Sequence, residues 1–308
     1  MKSILVSGLI NIEVTLQVEG FPIPYFPVRY PFHGVNSTVS GVGYNVAKAL
    51  TVLGDHVEFL SMTGRDLSGK IAMETLETQG IGTGHVMPLI EKTPHSVILF
   101  DRDGRRQINV DLKNIQETSY PGEHFEEAAS RCSMAALCNI NFSRPFLRKA
   151  IERGMTVATD VHAISSVDDD YNGEFMACAH ILFMSDESLP ERPESWVRRL
   201  LSRFGPAIVV VGLGAEGALM AVRDDHFMER IPAVKTRDIV NTIGAGDALF
   251  SSFIHFYGRH GDPYAALDKA MVFASYKIGE SGAAEGFLDE KSLERLSPSP
   301  PRLHRRNQ

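Results

Sequence analysis

The sequence has few of the features that mark a secreted or membrane-spanning protein. Its 308 residues include only three cysteines, Cys132, Cys138 and Cys178. An odd number of cysteines without a C-x-x-C pair argues against a disulfide framework and favours free thiols in a reducing compartment. No apolar run approaches the roughly 18 residues that a membrane span needs. We therefore expect a cytoplasmic protein with no membrane partner.

Positive charge is also scarce. Lys and Arg total 31 against 38 Asp and Glu, which gives a net charge of −7. This balance provides no general attraction for the phosphates of nucleic acid, so we expect no nucleic-acid partner. An anionic small ligand would have to be held by local groups.

Short apolar runs alternate with helical stretches along most of the chain. The apolar runs are residues 3–7, 57–61, 134–138, 156–159, 181–184 and 207–211. The helical stretches are about 43–53, 68–80, 123–131, 144–153, 170–178, 193–204, 245–258 and 263–280, and Ser68 is predicted to cap the second of them. This rhythm predicts a parallel sheet covered by helices on both faces.

Two segments in the first half depart from that rhythm. Residues 20–32 carry four prolines among five aromatic side chains, which excludes a helix and a central strand and predicts an edge strand or a lid segment. Residues 95–112 contain two apolar runs around an Asp-Arg-Asp-Gly turn, which predicts a β-hairpin.

The segment Asn241-Thr-Ile-Gly-Ala-Gly-Asp247 has the clearest chemical meaning. Its Gly-x-Gly pair opens a strongly apolar helix, where unpaired backbone N–H groups can meet an anion. Asp247 alone would be interpreted as a helix-start residue, but capping does not need glycines at 244 and 246. An anion cradle beside a carboxylate is what phosphoryl transfer to an alcohol requires, because the amides neutralise the phosphoryl group and the carboxylate accepts the hydroxyl proton.

Other polar and glycine-rich segments are ambiguous when taken singly. Gly41-Val-Gly-Tyr-Asn45 is typical of a strand–helix turn with an Asn cap. Gly212-Leu-Gly-Ala-Glu-Gly217 lies between two predicted strands, so it is not the dinucleotide fingerprint. Asp160 and His162 follow a strand end, where ligands of α/β proteins gather, or are ordinary loop residues. The eleven histidines show no H-x-x-x-H or H-E-x-x-H spacing, so no structural transition metal is predicted.

Together and in this order, the segments resemble the ribokinase-like (PfkB) family of carbohydrate and nucleoside kinases. Gly244-Ala-Gly-Asp247, with Thr242 before it, is similar to the family's C-terminal signature. Gly41–Asn45, continuing to the Thr-Gly-Arg-Asp-Leu-Ser-Gly stretch at 63–69, is similar to its N-terminal signature. Residues 8–13 are similar to the family's first strand, which ends in a sugar-binding acid. The resemblance covers nearly the whole chain.

The resemblance implies an α/β fold of three layers, α/β/α, with a central mostly parallel sheet and a small β lid. The lid would be built from about 12–40 and 95–112. One kinase domain would span 1–296. Residues 297–308, which contain no acid and little apolar surface, are expected to form a disordered basic tail.

The resemblance also assigns catalytic roles, with ATP as the phosphoryl donor. Asp247 would be the general base, and the amides of Gly244, Ala245 and Gly246 would form the anion hole. Mg²⁺ would bridge the ATP phosphates, and Glu187 would hold it through water.

Binding roles follow from the same resemblance. The hydroxyls of a sugar or nucleoside would be held by Asn11, Glu13, Gly41 and Asn45. The nucleotide would be held by Gly214, Gly217 and Thr242.

The chain departs from the family pattern at four positions. Asn241 stands where an Asp is usual, Gly212 where a phosphate-contacting Thr is common, and Glu13 where the family has the shorter Asp. The stretch 184–188 keeps Glu187 but lacks the Asn of the family's Asn-x-x-Glu motif. These departures motivate an alternative, a catalytically silent sugar- or nucleotide-binding protein.

The aromatic residues at 20–32 leave the substrate class open. They would favour a nucleoside of the pseudouridine or adenosine type if they stack on a base. Alternatively they pack within the lid, or they form a homodimer through the lid, which we expect because exposed strand edges pair readily.

Overall fold

A computed structural model describes residues 3–102 and 104–297 of the chain. Their strands are β1 Ser3–Ser7, β2 Asn11–Gln17, β3 Val35–Ser40, β4 His56–Gly64, β5 Val86–Ile90, β6 His95–Phe100, β7 Arg106–Asp111, β8 Cys132–Leu137, β9 Thr156–Ala163, β10 Ile181–Ser185, β11 Ile208–Gly212, β12 Ala218–Val222 and β13 Phe227–Ile231. Their helices are α1 Val42–Val52, α2 Leu67–Thr78, α3 Gly122–Ala129, α4 Arg144–Glu152, α5 Gly173–Cys178, α6 Pro193–Arg203, α7 Ala245–His260, α8 Pro263–Lys277 and α9 Glu290–Leu296.

The larger sheet has nine strands in the order β13-β12-β11-β10-β9-β8-β1-β4-β5. Strands β5, β4, β1, β8, β9, β10 and β11 run parallel, and β12 and β13 add an antiparallel edge. Side chains of β1 alternate between two cores: Ile4 and Val6 belong to one, Leu5 to the other. Because both faces are buried under helices, the expected three-layer α/β/α fold is confirmed.

A smaller four-stranded sheet, in the order β3-β2-β6-β7, forms the lid. β2 runs antiparallel to β3 and parallel to β6, and β7 completes the expected hairpin with β6. The residues of β7 are all exposed, whereas Asn11 and Glu13 of β2 are buried. One end of the lid therefore lies against the main body, next to the carboxyl ends of the large sheet's parallel strands.

Some local expectations were wrong. Of the two alternatives for residues 20–32, an edge strand or a lid segment, the edge strand is wrong: the segment is irregular and largely exposed, because its prolines remove the amide donors that a ladder needs. The cap of α2 is Asp66, not Ser68: its side chain accepts from the Gly69 amide. Strands β5 and β13 and helix α9 were not predicted, since each is short and without clear periodicity.

Two further expectations concern the C-terminal tail and membrane-spanning helices. Residues 298–308 of the predicted basic tail lie outside the described residues. Among the helices within 3–102 and 104–297, none combines the length and the apolar character that crossing a membrane would need.

Candidate active site

Asp247 lies in the first turn of α7 and is buried. The turn that places it depends on Gly244, which has a φ of 74° and whose absent Cβ would collide with the Ala283 carbonyl oxygen. Glycine is favoured at such a left-handed position. The glycine that the motif supplies is thus required for α7 to begin here.

A chain of hydrogen bonds connects Asp247 to the lid. Asn45 Nδ2 donates to Asp247 Oδ2 at 2.7 Å. The Ser40 hydroxyl lies 2.9 Å from Glu13 Oε2, to which it donates, and 3.3 Å from Asn45 Oδ1. Three of the predicted site residues, Glu13, Asn45 and Asp247, are therefore brought together, and Ser40, at the end of β3, is a link that the sequence analysis missed.

Two buried oxygens beside this chain lack partners. Glu13 Oε1 and Asn11 Oδ1 accept no hydrogen bond among the described residues, although Asn11 Nδ2 donates to Ser96 Oγ at 3.1 Å. An unpaired buried acceptor is costly, so such atoms are typical of positions that a ligand's hydroxyl groups complete. Gly41, also predicted here, is the residue before α1; it has a φ of 103° and lies close to the Leu9 carbonyl, so it shapes the turn.

The site concentrates negative charge in a buried region. Burial raises the pKa of Asp247; Asp160 adds to the rise, whereas Asn45 opposes it by its hydrogen bond. Burial likewise raises the pKa of Glu13, with Asp247 adding to it and the Ser40 hydrogen bond opposing it. Each carboxyl group therefore depends on its donors, and on a nearby cation, to stay ionised.

That cation is Lys277, the last residue of α8. Its side chain is fully buried, and its ammonium group donates to the Ile243 carbonyl in the loop before α7. Burial lowers its pKa to about 8, against the opposing effect of Asp247 and Glu13. Sequence reasoning missed Lys277, because a lysine at the C-terminal end of an amphipathic helix is ordinarily exposed to solvent, where it interacts with the helix dipole.

Asn241 braces the same loop. Its Nδ2 donates to the Ser281 carbonyl at 2.7 Å, and its Oδ1 accepts from the Ile243 amide at 3.0 Å. An aspartate could make only the second bond, because it has no donor when ionised. The departure at 241 thus has a structural explanation in this chain.

The amides at the start of α7 are not equivalent. The Ala245 amide donates to the Thr242 carbonyl at 3.2 Å, so of the three amides predicted to form the anion hole this one already has a partner within the protein. Within the described part of the chain, the Gly244 and Gly246 amides have no hydrogen-bond partner. An ideal Cβ at Gly246 would stand 3.8 Å from Asp160 Oδ2, so the glycine is not demanded by contacts within the protein.

The end of β9 also reaches this site. Asp160 is buried, accepts from the His162 amide at 2.8 Å and affects the pKa of Asp247, as does His162. His162 has a φ of 56°, a strained backbone conformation for a residue other than glycine. The structure therefore places both residues near Asp247, and their contact with a ligand stays a prediction.

The predicted nucleotide side contains a contact from the lid. Arg106, at the start of β7, donates to Thr242 Oγ1 at 2.6 Å and to Glu187 Oε1 at 2.8 Å. Glu187, the predicted metal residue, is thus paired with an arginine, a contact that no sequence pattern indicates. Gly214 and Gly217 lie at the two ends of a single helical turn between β11 and β12. This turn is at the carboxyl edge of the sheet.

A sequence model of the pfkB family of carbohydrate kinases matches residues 1–291. The chain belongs to this family. It is 29% identical over 290 residues to an ATP-dependent ribose-1-phosphate kinase of Halopiger xanaduensis, covering 92% of this chain and 94% of that one. It is 27% identical over 270 residues to a deoxyribokinase of Salmonella typhi, covering 80% and 83%. The protein is accordingly a phosphotransferase with an alcohol group as acceptor.

Solved structures agree with this assignment. A microbiome-derived acarbose kinase is 26% identical and superposes with a TM-score of 0.85, over 96% of this chain and 98% of that one. The ribokinase of Thermotoga maritima, at 19% identity, superposes with a TM-score of 0.78 over 96% and 99%. The second likeness establishes the ribokinase fold.

Proposed function

We propose that this PfkB kinase transfers the γ-phosphoryl group of ATP to a primary hydroxyl of a small sugar of the pentose type, with Asp247 as general base. The hydrogen-bonded chain from Glu13 to Asp247, which ends beside the unpaired Gly246 amide, is the observation that carries the proposal. The relatives named for ribose 1-phosphate and deoxyribose support the pentose class.

The two carboxylate oxygens of Asp247 have different tasks in this mechanism. Oδ2 accepts from Asn45, which fixes the orientation of the carboxylate. Oδ1 has no hydrogen-bond partner among the described residues and can accept the proton of the attacking hydroxyl. The Gly246 amide and the positive end of α7 then stabilise the charge on the phosphoryl group during transfer.

The substrate's other hydroxyls fit the unpaired oxygens on the lid side. Glu13 Oε1 and Asn11 Oδ1 are acceptors, and a polyhydroxylated ring offers donors to both. A nucleoside that contains the same pentose would satisfy both oxygens equally. The choice between a sugar and a nucleoside as substrate therefore depends on what the protein contacts beyond the pentose ring. The relatives' names favour a sugar or sugar phosphate.

A nucleotide with Mg²⁺ fits the charges beside the glycine turns. Asp186, Glu187 and Glu216 lie close enough for the other two to raise the pKa of Asp186, although burial is the larger cause. Carboxylates are ligands that Mg²⁺ prefers, directly or through water, and the ion would neutralise phosphate charge when bound. Glu187 could bind the ion only after its ion pair with Arg106 breaks. The Arg106 guanidinium would then contact a phosphate of the nucleotide or solvent.

The alternative of a silent binding protein loses one of the three departures that motivated it. It depended on Asn241, Gly212 and the missing Asn, and Asn241 is explained by its two hydrogen bonds in the loop before α7. A free Asp247 oxygen beside an unpaired amide favours catalysis, because binding alone needs no base.

An ATP-coupled assay with a substrate panel tests the proposal. The panel is ribose, deoxyribose, ribose 1-phosphate, adenosine, pseudouridine and an amino sugar-containing oligosaccharide. We expect turnover with a pentose or its 1-phosphate. In Asp247→Asn we expect kcat to fall by about 10²–10⁴-fold with ATP affinity within a few-fold, because only the base is lost.

Asp289→Asn, at the start of the remote helix α9, serves as the matched control. Turnover of a nucleoside, with no turnover of any sugar in the panel, would refute the sugar assignment. A near wild-type kcat in Asp247→Asn would refute the base assignment.

A further inference from the structure

Two histidines that are far apart in the sequence meet at the edge of the large sheet. His85 directly precedes β5, and His124 and Glu127 lie one turn apart on α3. One potential ligand atom from each of the three lies within 4.8 Å of the others. The cluster is at the amino end of β5, whereas Asp247 is beside the carboxyl ends of the parallel strands, so the cluster is not part of the active site.

The spacing of the imidazole nitrogens suits a tetrahedral metal. His85 Nδ1 and His124 Nδ1 are 3.2 Å apart. Two nitrogens that each bind Zn²⁺ at roughly 2.0–2.1 Å in tetrahedral geometry are separated by about 3.3 Å. A hydrogen bond between the two rings would also give this distance, so the third ligand and the surroundings must decide.

The surroundings are those of a metal-ligating histidine. Glu58, buried on β4, has Oε2 at 3.6 Å from His85 Nε2, the ring nitrogen facing away from His124. Its Oε1 makes no hydrogen bond to any residue that the structure describes and has Arg131 at 3.6 Å. The Tyr120 hydroxyl donates to the His85 carbonyl at 2.6 Å and fixes its backbone. At 3.6 Å the carboxylate makes no direct hydrogen bond to the ring, but its negative charge favours the tautomer with the proton on Nε2, which leaves Nδ1 to face a metal.

We propose that His85, His124 and Glu127 bind one divalent transition metal ion of the Zn²⁺ class, with Glu58 orienting His85. Two imidazoles and one carboxylate select Zn²⁺ over Mg²⁺ or Ca²⁺, which prefer oxygen ligands throughout. The ion would join α3 to the start of β5, and its fourth position, towards solvent at Glu127, would hold water. Its role is to stabilise the fold rather than to take part in phosphoryl transfer.

Zinc titration of the tag-free, full-length protein tests this proposal. The protein is first treated with a chelator, and Zn²⁺ is then added in competition with a chromogenic chelator; Co²⁺ absorption gives the coordination geometry. We expect one Zn²⁺ per chain and a tetrahedral Co²⁺ spectrum. His124→Gln should weaken binding at least 100-fold and Glu58→Gln about 10–100-fold, as lost outer-shell partners do.

His56→Gln is the matched control, because His56 lies 3.9 Å from Glu58 but outside the ligand set. Its zinc affinity should equal that of the wild type. Circular dichroism and kinase activity of the metal-free variants verify that His124→Gln is folded, and Zn²⁺ should raise the Tm of the wild type but not of this variant. Equal affinity in wild type and His124→Gln, or no binding by the wild type, would overturn the proposal and leave the histidines as a hydrogen-bonded pair.

Discussion

At the scale of single residues, the site depends on pairing each buried charge. Asp247 and Glu13 are carboxyl groups in a region from which water is largely excluded, and burial raises the pKa of both. Asn45 and Ser40 supply hydrogen bonds, and Lys277 supplies the positive charge. Since an uncompensated buried charge is expensive, these five residues form one electrostatic unit.

Lys277→Met should change the pH profile of kcat/KM in two ways. The wild type should lose activity above about pH 8, where Lys277 loses its proton, and the variant should lack this alkaline limb. Removing a positive charge raises the pKa of neighbouring carboxyl groups, so the acid limb set by Asp247 should move to higher pH.

Steady-state kinetics across the pH range measures both limbs. Lys269→Met, on the same helix but paired at the surface with Glu294, should leave the profile unchanged. An unaltered profile in Lys277→Met would show that the ammonium group only supports the loop before α7.

At the scale of the element, the start of α7 combines a glycine that the backbone requires with one to which we assign a role in catalysis. Gly244 is required by its left-handed backbone and by the Ala283 carbonyl. Gly246 has room for a Cβ, with Asp160 as its nearest neighbour. The motif's two glycines should therefore respond differently to substitution.

Gly244→Ala should reduce both stability and activity. The left-handed φ alone costs about 1–3 kcal/mol for a residue with a Cβ, and the collision with Ala283 adds to it. Gly261→Ala isolates the first effect, because Gly261 ends the same helix with a φ of 69° and no atom of the described residues lies within 4 Å of its Cβ position. Urea unfolding should show a larger loss for Gly244→Ala; equal losses would contradict the collision.

Gly246→Val should reduce turnover without a comparable loss of stability. A side chain there would intrude where a phosphoryl oxygen must reach the amide, and loss of such a donor costs about 10²–10³ in kcat. The free energy of unfolding should change by about 1 kcal/mol or less. Gly246→Ala gives an intermediate case. Wild-type kinetics in both variants would show that the amide does not meet the phosphoryl group.

At the scale of the whole molecule, the lid exposes an unusual amount of apolar surface. In the segment 20–32, Tyr25 and Phe32 are 87% and 86% exposed. Val97, Ile108 and Val110 of the lid hairpin are also exposed. Large exposed apolar surfaces mark sites of association, so we propose that two copies pair through their lids.

Sedimentation at micromolar concentration should give a dimer for the wild type. Phe32→Asp should shift it towards the monomer, because a charge would be buried at the contact, while a side chain this exposed contributes little to the monomer's own fold. Asp238→Asn, at a surface position that is 99% exposed, is the control. A monomeric wild type, or a dimer unaffected by Phe32→Asp, would refute pairing through the aromatic segment.

The sequence was sufficient for those parts of the protein that depend on local patterns. Alternation of apolar runs and helical stretches predicted the parallel sheet, because each strand buried on both faces must be apolar throughout. The glycine motif predicted where α7 begins and that Asp247 lies in its first turn, since glycine is needed for the turn that precedes the helix. Residues 20–32 are a contrast. Their proline content excluded a helix, but it did not predict a strand, because the segment is irregular.

Only the tertiary structure decided which side chains meet. Asn45 and Asp247 are 202 residues apart, and Arg106 and Thr242 are 136 apart. Lys277 became a buried counter-charge, and His85 and His124 became neighbours, for the same reason: the order of strands in the sheet brings distant segments together. Sequence spacing describes neighbours along one helix or strand, whereas the packing of layers selects contacts between elements, and no local pattern encodes that choice.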